Sequence, residues 1–183
     1  AGAEELGAPE VARGKDWLGE GCYRTGEQGS LARVVGRQLI ARHLTFAAAG
    51  GLTAGGFQAS LGTVSGISAV FPGGFVTYAP AQKTAMIGVP AATIKQYGVV
   101  SRETAAAMAE GARAKVGTDY ALGFTGVAGP DTLEGQPAGT VFIGLAGPQG
   151  TTVQEFHLLG SRNEVRARAV AWGFKMLQNA LKN

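Results

Sequence analysis

Along most of this chain a short apolar run ends in a glycine-bearing turn and leads into a stretch with helical spacing. Glycine supplies 30 of the 183 residues, about twice the usual ~7%. No G-X-Y period accompanies it, so these glycines mark turns and close backbone approaches rather than a collagen-like rod. Strand-turn-helix alternation of this kind predicts an α/β fold, with a mixed, mostly parallel sheet covered by helices.

The elements can be placed one by one. Ser30 is positioned to cap a helix over Leu31–Arg42, with Leu31, Val34, Val35, Gln38 and Leu39 at helical spacing. A short buried strand is expected over 44–49, a glycine-rich turn over 50–56 and a second helix over 53–62. Pro72-Gly73-Gly74 marks a turn before a strand at 75–78. Helical segments follow at 83–87 and 90–96, the latter closed by Gly98. Ser101 caps the next helix, whose apolar face is Ala105, Met108, Ala109 and Ala112. A strand is expected at 119–125, a tight loop at 126–130 and a polar excursion at 131–137. Strands at 140–145 and 152–158 flank a hairpin-like turn at 147–150. Ser161 and Glu164 form a capping box for a last helix with Val165, Ala169, Trp172 and Met176 on one face.

Composition narrows the class. Hydrophobic residues reach 45% and charged residues 16%, enough for a core and against disorder throughout. Residues 1–29 are rich in glycine and charge and weakly periodic, so they read as an arm or linker remnant before a domain at 30–183. The first nine residues are acidic and Gly/Ala-rich, unlike a signal peptide, and no apolar run reaches the ~18 residues of a membrane span. Cys22 is the sole cysteine, which excludes an internal disulfide and a cysteine-based zinc site and fits a reducing, cytoplasmic home. A net charge of +3 without a basic aromatic stripe argues against direct nucleic-acid binding.

Several chemistries are absent: there is no G-x-G-x-x-G, Walker lysine, H-E-x-x-H or EF-hand loop. His43 and His157 have no partner at ligand spacing, so no metal and no cofactor are expected. Four features remain, each with a plain structural reading beside the functional one. The 50–56 turn follows a strand and opens a helix, where backbone N–H groups suit a phosphate or carboxylate; it serves equally for tight packing. Tyr78 and Lys83 lie five apart just past a strand end, where a lysine can act as base or anion ligand, or simply be solvated. Thr125, Gly126 and Gly129 belong to a rigid loop at the crevice where α/β sheets hold ligands, or to an ordinary turn. Arg162 sits in the first turn of the last helix, against the helix dipole, with Arg166 one turn on, on the same face; the pair suits a phosphate, or is simply a solvated face.

Taken in order, Gly66-Ile67-Ser68-Ala69-Val70-Phe71, Gly74-Phe75-Val76-Thr77-Tyr78, Lys83, Gly98-Val99-Val100-Ser101, Met108-Ala109-Glu110-Gly111, Phe124 to Pro130 and Pro137 to Val141 resemble the C-terminal domain of the competence/damage-inducible protein CinA. The resemblance covers about residues 30–180. It implies a three-layer α/β/α fold, a homo-oligomer, and hydrolysis of nicotinamide mononucleotide to nicotinate mononucleotide and ammonia in pyridine-nucleotide salvage. It also implies that residues before Ser30, Tyr23 and Gly26 among them, are the linker to an N-terminal molybdopterin-binding-like domain. The chemistry implied is a serine nucleophile in an A-E-S-x-T-x-G motif, deprotonated by a lysine.

The motif departs from that pattern where the chemistry would occur. In Ala49-Gly50-Gly51-Leu52-Thr53-Ala54-Gly55, Gly50 stands at the glutamate position and Gly51 at the serine position. Tyr78, Lys83, Thr125 and Arg162 remain at matching positions. Thr53, Gly55, Ser68, Gly126 and Gly129 join them as candidate binding residues, and Ser68, Ser60 and Thr53 as substitute hydroxyls. The expectation is an amidohydrolase-type pocket for a pyridine mononucleotide with an impaired covalent step. The alternative is a nucleotide-binding or regulatory module without turnover.

Overall fold

The computed structural model describes residues 31–182, so Ser30, the 1–29 arm and Cys22 lie outside the described residues. The chain runs α1 (Leu31–Arg42), β1 (Phe46–Gly50), α2 (Gly56–Gly62), a 3-10 turn (Ile67–Ala69), β2 (Gly73–Val76), α3 (Pro80–Ile87), α4 (Ala91–Tyr97), α5 (Arg102–Val116), β3 (Tyr120–Gly126), β4 (Thr140–Gly147), β5 (Gly150–His157) and α6 (Arg162–Ala180). The five strands form one sheet in the order β2-β1-β3-β4-β5. β2, β1 and β3 are mutually parallel, β4 is antiparallel to β3, and β5 is antiparallel to β4. Four of the five strands therefore run in one direction and only β4 opposes them, which is the mixed, mostly parallel sheet expected.

Alternation along the strands divides the interior into two cores, giving the three α/β/α layers. On one face Phe46, Ala48, Leu122, Phe124, Val141, Ile143 and Leu145 pack against α1, α2 and α6. There Phe57 anchors an aromatic group, its ring centroid 4.0 Å from Phe174, 5.4 Å from Phe124 and 5.5 Å from Phe46. On the other face Ala47, Ala49 and Ala121 meet Ile87, Met108 and Ala112 of α3 and α5. The four residues expected on the apolar face of α5 are all buried.

The second face is built small. Ala49, Gly123 and Gly144 are successive cross-strand partners. A Cβ on Gly123 would lie 2.6 Å from both the Ala105 carbonyl oxygen and the Ala109 nitrogen, and one on Gly144 would run into the Ala105 carbonyl. Backbone of α5 thus rests directly on backbone of the sheet.

Element boundaries differ from expectation where local chemistry decides. The second helix starts at Gly56 rather than residue 53, because Ala54 and Gly55 take left-handed backbone angles, φ 47° and 83°. The helix expected from residue 83 already starts at Pro80, a proline in the first turn needing no N–H partner. β1 ends at Gly50, and β2 ends at Val76, two residues before Tyr78. The capping box of α6 forms, with the Ser161 N–H donating to Glu164 Oε2 at 2.8 Å.

The Gly123–Gly144 contact yields a test. Gly123→Ala should lower stability by roughly 1–3 kcal/mol, the usual cost of overpacking a rigid interface. Urea or thermal unfolding reads it, and an unchanged midpoint would mean that α5 shifts away without cost.

Candidate active site

The 50–56 turn, the segment after β2, the 126–130 loop and the start of α6 converge on one end of the sheet. β1, β2 and β3 end there, β4 begins there, and β5 ends there before turning into α6. β1 connects toward β2 while β3 connects toward β4, so the strand order switches between β1 and β3, where open α/β sheets form a ligand crevice. A cleft of about 370 Å³ lies at that point, lined by Gly51, Tyr78, Lys83, Thr125, Gly126, Gly129 and Arg162 among others.

Lys83 forms the floor. It shares the inner face of α3 with Ile87, four residues on, and both are buried. Its ammonium donates to the Thr77 carbonyl at 2.7 Å and approaches the Tyr78 carbonyl at 3.5 Å, just past the end of β2. Burial destabilises the charged form and lowers the pKa from 10.5 to about 8, with the Glu134 carboxylate opposing the shift. With a pKa of about 8 roughly a tenth of the amine is neutral at pH 7, far more than for a free lysine, which brings it within reach of a general base's role.

Arg162 and Tyr78 form the rim. The guanidinium donates to the Gly129 carbonyl and to the Tyr78 hydroxyl, each at 2.7 Å. These bonds account for a cation in the first turn of α6: it ties the 126–130 loop to the segment after β2. Thr125 is buried, and its hydroxyl donates to the Val99 carbonyl at 2.5 Å, fixing the opposite wall. Glu134, not singled out from sequence, braces this wall from outside the cleft lining: its Oε2 accepts the Val100 N–H at 3.1 Å. Its only sequence signal is membership of the polar excursion, although its backbone is left-handed at φ 51°.

Gly50 and Gly51 face opposite ways. A Cβ at Gly51 would point into the cleft, 3.4 Å from Lys83 Nζ, 3.1 Å from the Phe124 carbonyl oxygen and 3.9 Å from the Thr77 carbonyl oxygen. The Gly51 backbone lies outside the left-handed region, so its angles accept an L side chain. A Cβ at Gly50 would point instead beneath the turn, onto the Thr53 hydroxyl and 3.5 Å from the Gly55 nitrogen. That hydroxyl is buried without a hydrogen-bond partner. The turn is held from behind by Arg166, which donates to the Leu52 carbonyl at 3.0 Å and to the Thr53 carbonyl at 3.3 Å.

The remaining candidates do not reach the cleft. Thr53 lies behind the turn, beside a groove of about 570 Å³ between α1, α2 and α6. Gly55 caps α2 from the same turn without lining the cleft. Ser60 also lies on the α2 side, and its hydroxyl donates to the Gly56 carbonyl at 2.8 Å. Ser68 is exposed in the 3-10 turn before β2, at the far end of the sheet, because the strand that follows it must run its full length toward the cleft. Neither serine hydroxyl stands where Gly51 meets Lys83. Among the described residues no cluster of three His, Cys, Asp or Glu side chains is arranged to hold a metal, and no helix is long and apolar enough to cross a membrane.

A three-layer α/β/α domain with a buried lysine at its switch-point cleft is the class that fold and site define. The chain belongs to the CinA C-terminal domain family, which matches residues 28–181. A competence-damage inducible protein of Levilactobacillus brevis is 51% identical over 98% of this chain and 42% of its own length. One from Streptococcus pneumoniae is 50% identical over 87% of this chain and 38% of its own. The chain thus spans about two fifths of these relatives. Among solved structures, a CinA superfamily protein from Klebsiella pneumoniae superposes with TM-score 0.81 at 30% identity, covering 83% of this chain and 96% of that one. The competence/damage inducible protein CihA from Agrobacterium tumefaciens gives 0.79 at 33%, covering 84% and 94%.

The lysine's burial has a measurable consequence. Its folded pKa lies below its unfolded value, so between about pH 8 and 10.5 the unfolded chain binds more protons and stability rises with pH. Relative to Lys83→Met, the parent should gain roughly 3 kcal/mol of unfolding free energy from neutral pH to the top of that window. Chemical denaturation of both at several pH values checks it; a flat difference would mean that the amine titrates as an exposed lysine does.

Proposed function

We propose that the cleft binds a pyridine mononucleotide, and that the domain is of the amidohydrolase type that converts nicotinamide mononucleotide to nicotinate mononucleotide and ammonia. In this chain the covalent step is impaired. One observation carries the reading: the side-chain position of residue 51 points at Lys83 Nζ from 3.4 Å. A serine there would place its hydroxyl beside a lysine of lowered pKa, which would take its proton as the oxygen attacks the carboxamide carbon. The tetrahedral intermediate would expel ammonia, and water would then release the acid. Gly51 has no oxygen to begin that sequence.

The rest of the cleft supports binding without chemistry. Arg162 presents a guanidinium at the rim, suited to a phosphate, and Tyr78 is held beside it. As it stands, therefore, the chain acts first as a nucleotide-binding module. The same reading places the domain in pyridine-nucleotide salvage in the cytoplasm, as a homo-oligomer. It also makes the domain one part of a longer protein with an N-terminal molybdopterin-binding-like domain, in keeping with the share of its relatives that it spans.

The test is ammonia release from nicotinamide mononucleotide, measured beside calorimetric binding. The parent should bind with very slow turnover. Gly51→Ser should raise turnover by about 10³-fold or more, the scale on which a lost nucleophile is felt. The Phe124 carbonyl, 3.1 Å from the new Cβ, must give by a few tenths of an ångström. Adding Gly50→Glu requires the Thr53 side chain to rotate, so the single and double variants are both needed. Parent turnover equal to that of Gly51→Ser would refute the impaired step, and folded, nucleotide-binding variants that stay inert would refute the serine-lysine chemistry. Separately, Arg162→Ala should weaken mononucleotide binding by roughly 1.5–3 kcal/mol, the range of charge-assisted hydrogen bonds; unchanged affinity would remove Arg162 from the phosphate site.

A further inference from the structure

The cleft carries two cationic side chains, Lys83 and Arg162, and a single carboxylate, Asp131, among the residues that line it. Asp131 is exposed and makes no hydrogen bond or ion pair with a described residue. Its place is nevertheless fixed by the chain on either side. Two residues earlier the Gly129 carbonyl accepts from Arg162 at 2.7 Å. Three residues later Glu134 accepts the Val100 N–H at 3.1 Å. Around Glu134, Leu133 and Gln136 exchange backbone hydrogen bonds of 3.1 and 2.9 Å, closing the loop on itself.

A loop pinned at both ends thus keeps an unneutralised carboxylate at the cleft. Toward a ligand whose only charge is a phosphate, that carboxylate is repulsive and works against binding. Toward a ligand carrying a phosphate and a separate cation, the same lining is complementary at both ends.

We propose that Asp131 is a specificity-determining residue that faces the positively charged ring of a pyridine mononucleotide, so that the cleft selects the oxidised pyridinium form over the neutral dihydropyridine form. This rests on the mononucleotide reading of the cleft and adds the ring's charge state as what is recognised. Arg162 attracts the phosphate common to both forms, and Asp131 distinguishes them. Because Asp131 is exposed, solvent screens the interaction and the discrimination is modest, about three- to tenfold.

The experiment is calorimetric binding of nicotinamide mononucleotide and of its reduced form to the full chain and to Asp131→Asn and Asp131→Ala. Glu110→Gln, at an exposed position on α5, changes net charge equally and serves as control. Both Asp131 variants should weaken binding of the oxidised form by about three- to tenfold and leave the reduced form unchanged or tighter, with the contrast shrinking as salt is raised. The control should move neither ligand. Equal effects on both forms, or none on either, would overturn the proposal while leaving the mononucleotide reading standing. A parent that binds neither form overturns both, and a control that reproduces the Asp131 pattern reduces the effect to overall charge.

Discussion

The site depends on how closely α5 can approach the sheet. That approach is set by the absence of side chains at Gly123 and Gly144, which are paired across β3 and β4. With Cβ atoms there, the helix backbone at Ala105 and Ala109 would collide with the strands. Because it does not, the start of α5 stays down at the carboxyl end of β3. The segment before it, Val99 and Val100, then becomes a wall of the cleft, held by the Thr125 hydroxyl and the Glu134 carboxylate. Bulky packing on the opposite face, around Phe57, sets the position of α6 and hence of Arg162. The asymmetry between the faces, an aromatic cluster on one and a backbone-on-backbone contact at Gly123 and Gly144 on the other, gives the cleft its shape.

Against that frame, Lys83 is, among the described residues, the strongly perturbed group facing the cleft. Its amine is desolvated by the close layer that the small face permits, and the Thr77 carbonyl compensates with a hydrogen bond. A charged lysine in such a place is costly. Structural stability alone would be served better by an apolar residue, which marks Lys83 as a candidate functional group. Glu134 moderates the cost from the adjoining loop without closing on the amine as a direct ion pair.

Much of the fold was legible because its determinants are local. Ser101 as a cap, the Ala105–Met108–Ala112 face and the Ser161–Glu164 box follow from residue types a few positions apart, and all three form. The direction of Lys83 was not legible locally: five residues past Tyr78 it could equally be solvated, and only the fold shows it sharing the buried face of Ile87. The rest of the candidate site was no more legible. Ser68 could not be excluded from sequence because only the sheet topology puts it at the wrong end. Thr53 and Gly55 lie in the right turn but not at the cleft, a distinction that depends on left-handed angles at Ala54 and Gly55. Glu134 and Asp131 act through a loop whose closure involves Arg162, about 30 residues downstream, and no local pattern reports that.

The two glycines at the head of the turn carry different consequences, although they are adjacent. Successive residues leaving a strand point to opposite faces, so position 51 addresses Lys83 and position 50 addresses the underside of the turn. Glycine at 51 leaves the surrounding packing whole, since Lys83 keeps its bond to Thr77. Position 50 contributes nothing to the cleft; beneath it the Thr53 hydroxyl is buried without a partner, and the turn is held by Arg166 from behind. Chemistry and support are therefore separable here. The fold, the cleft and its cationic rim stand with glycine at 51, because none of them is built from atoms that a side chain there would supply.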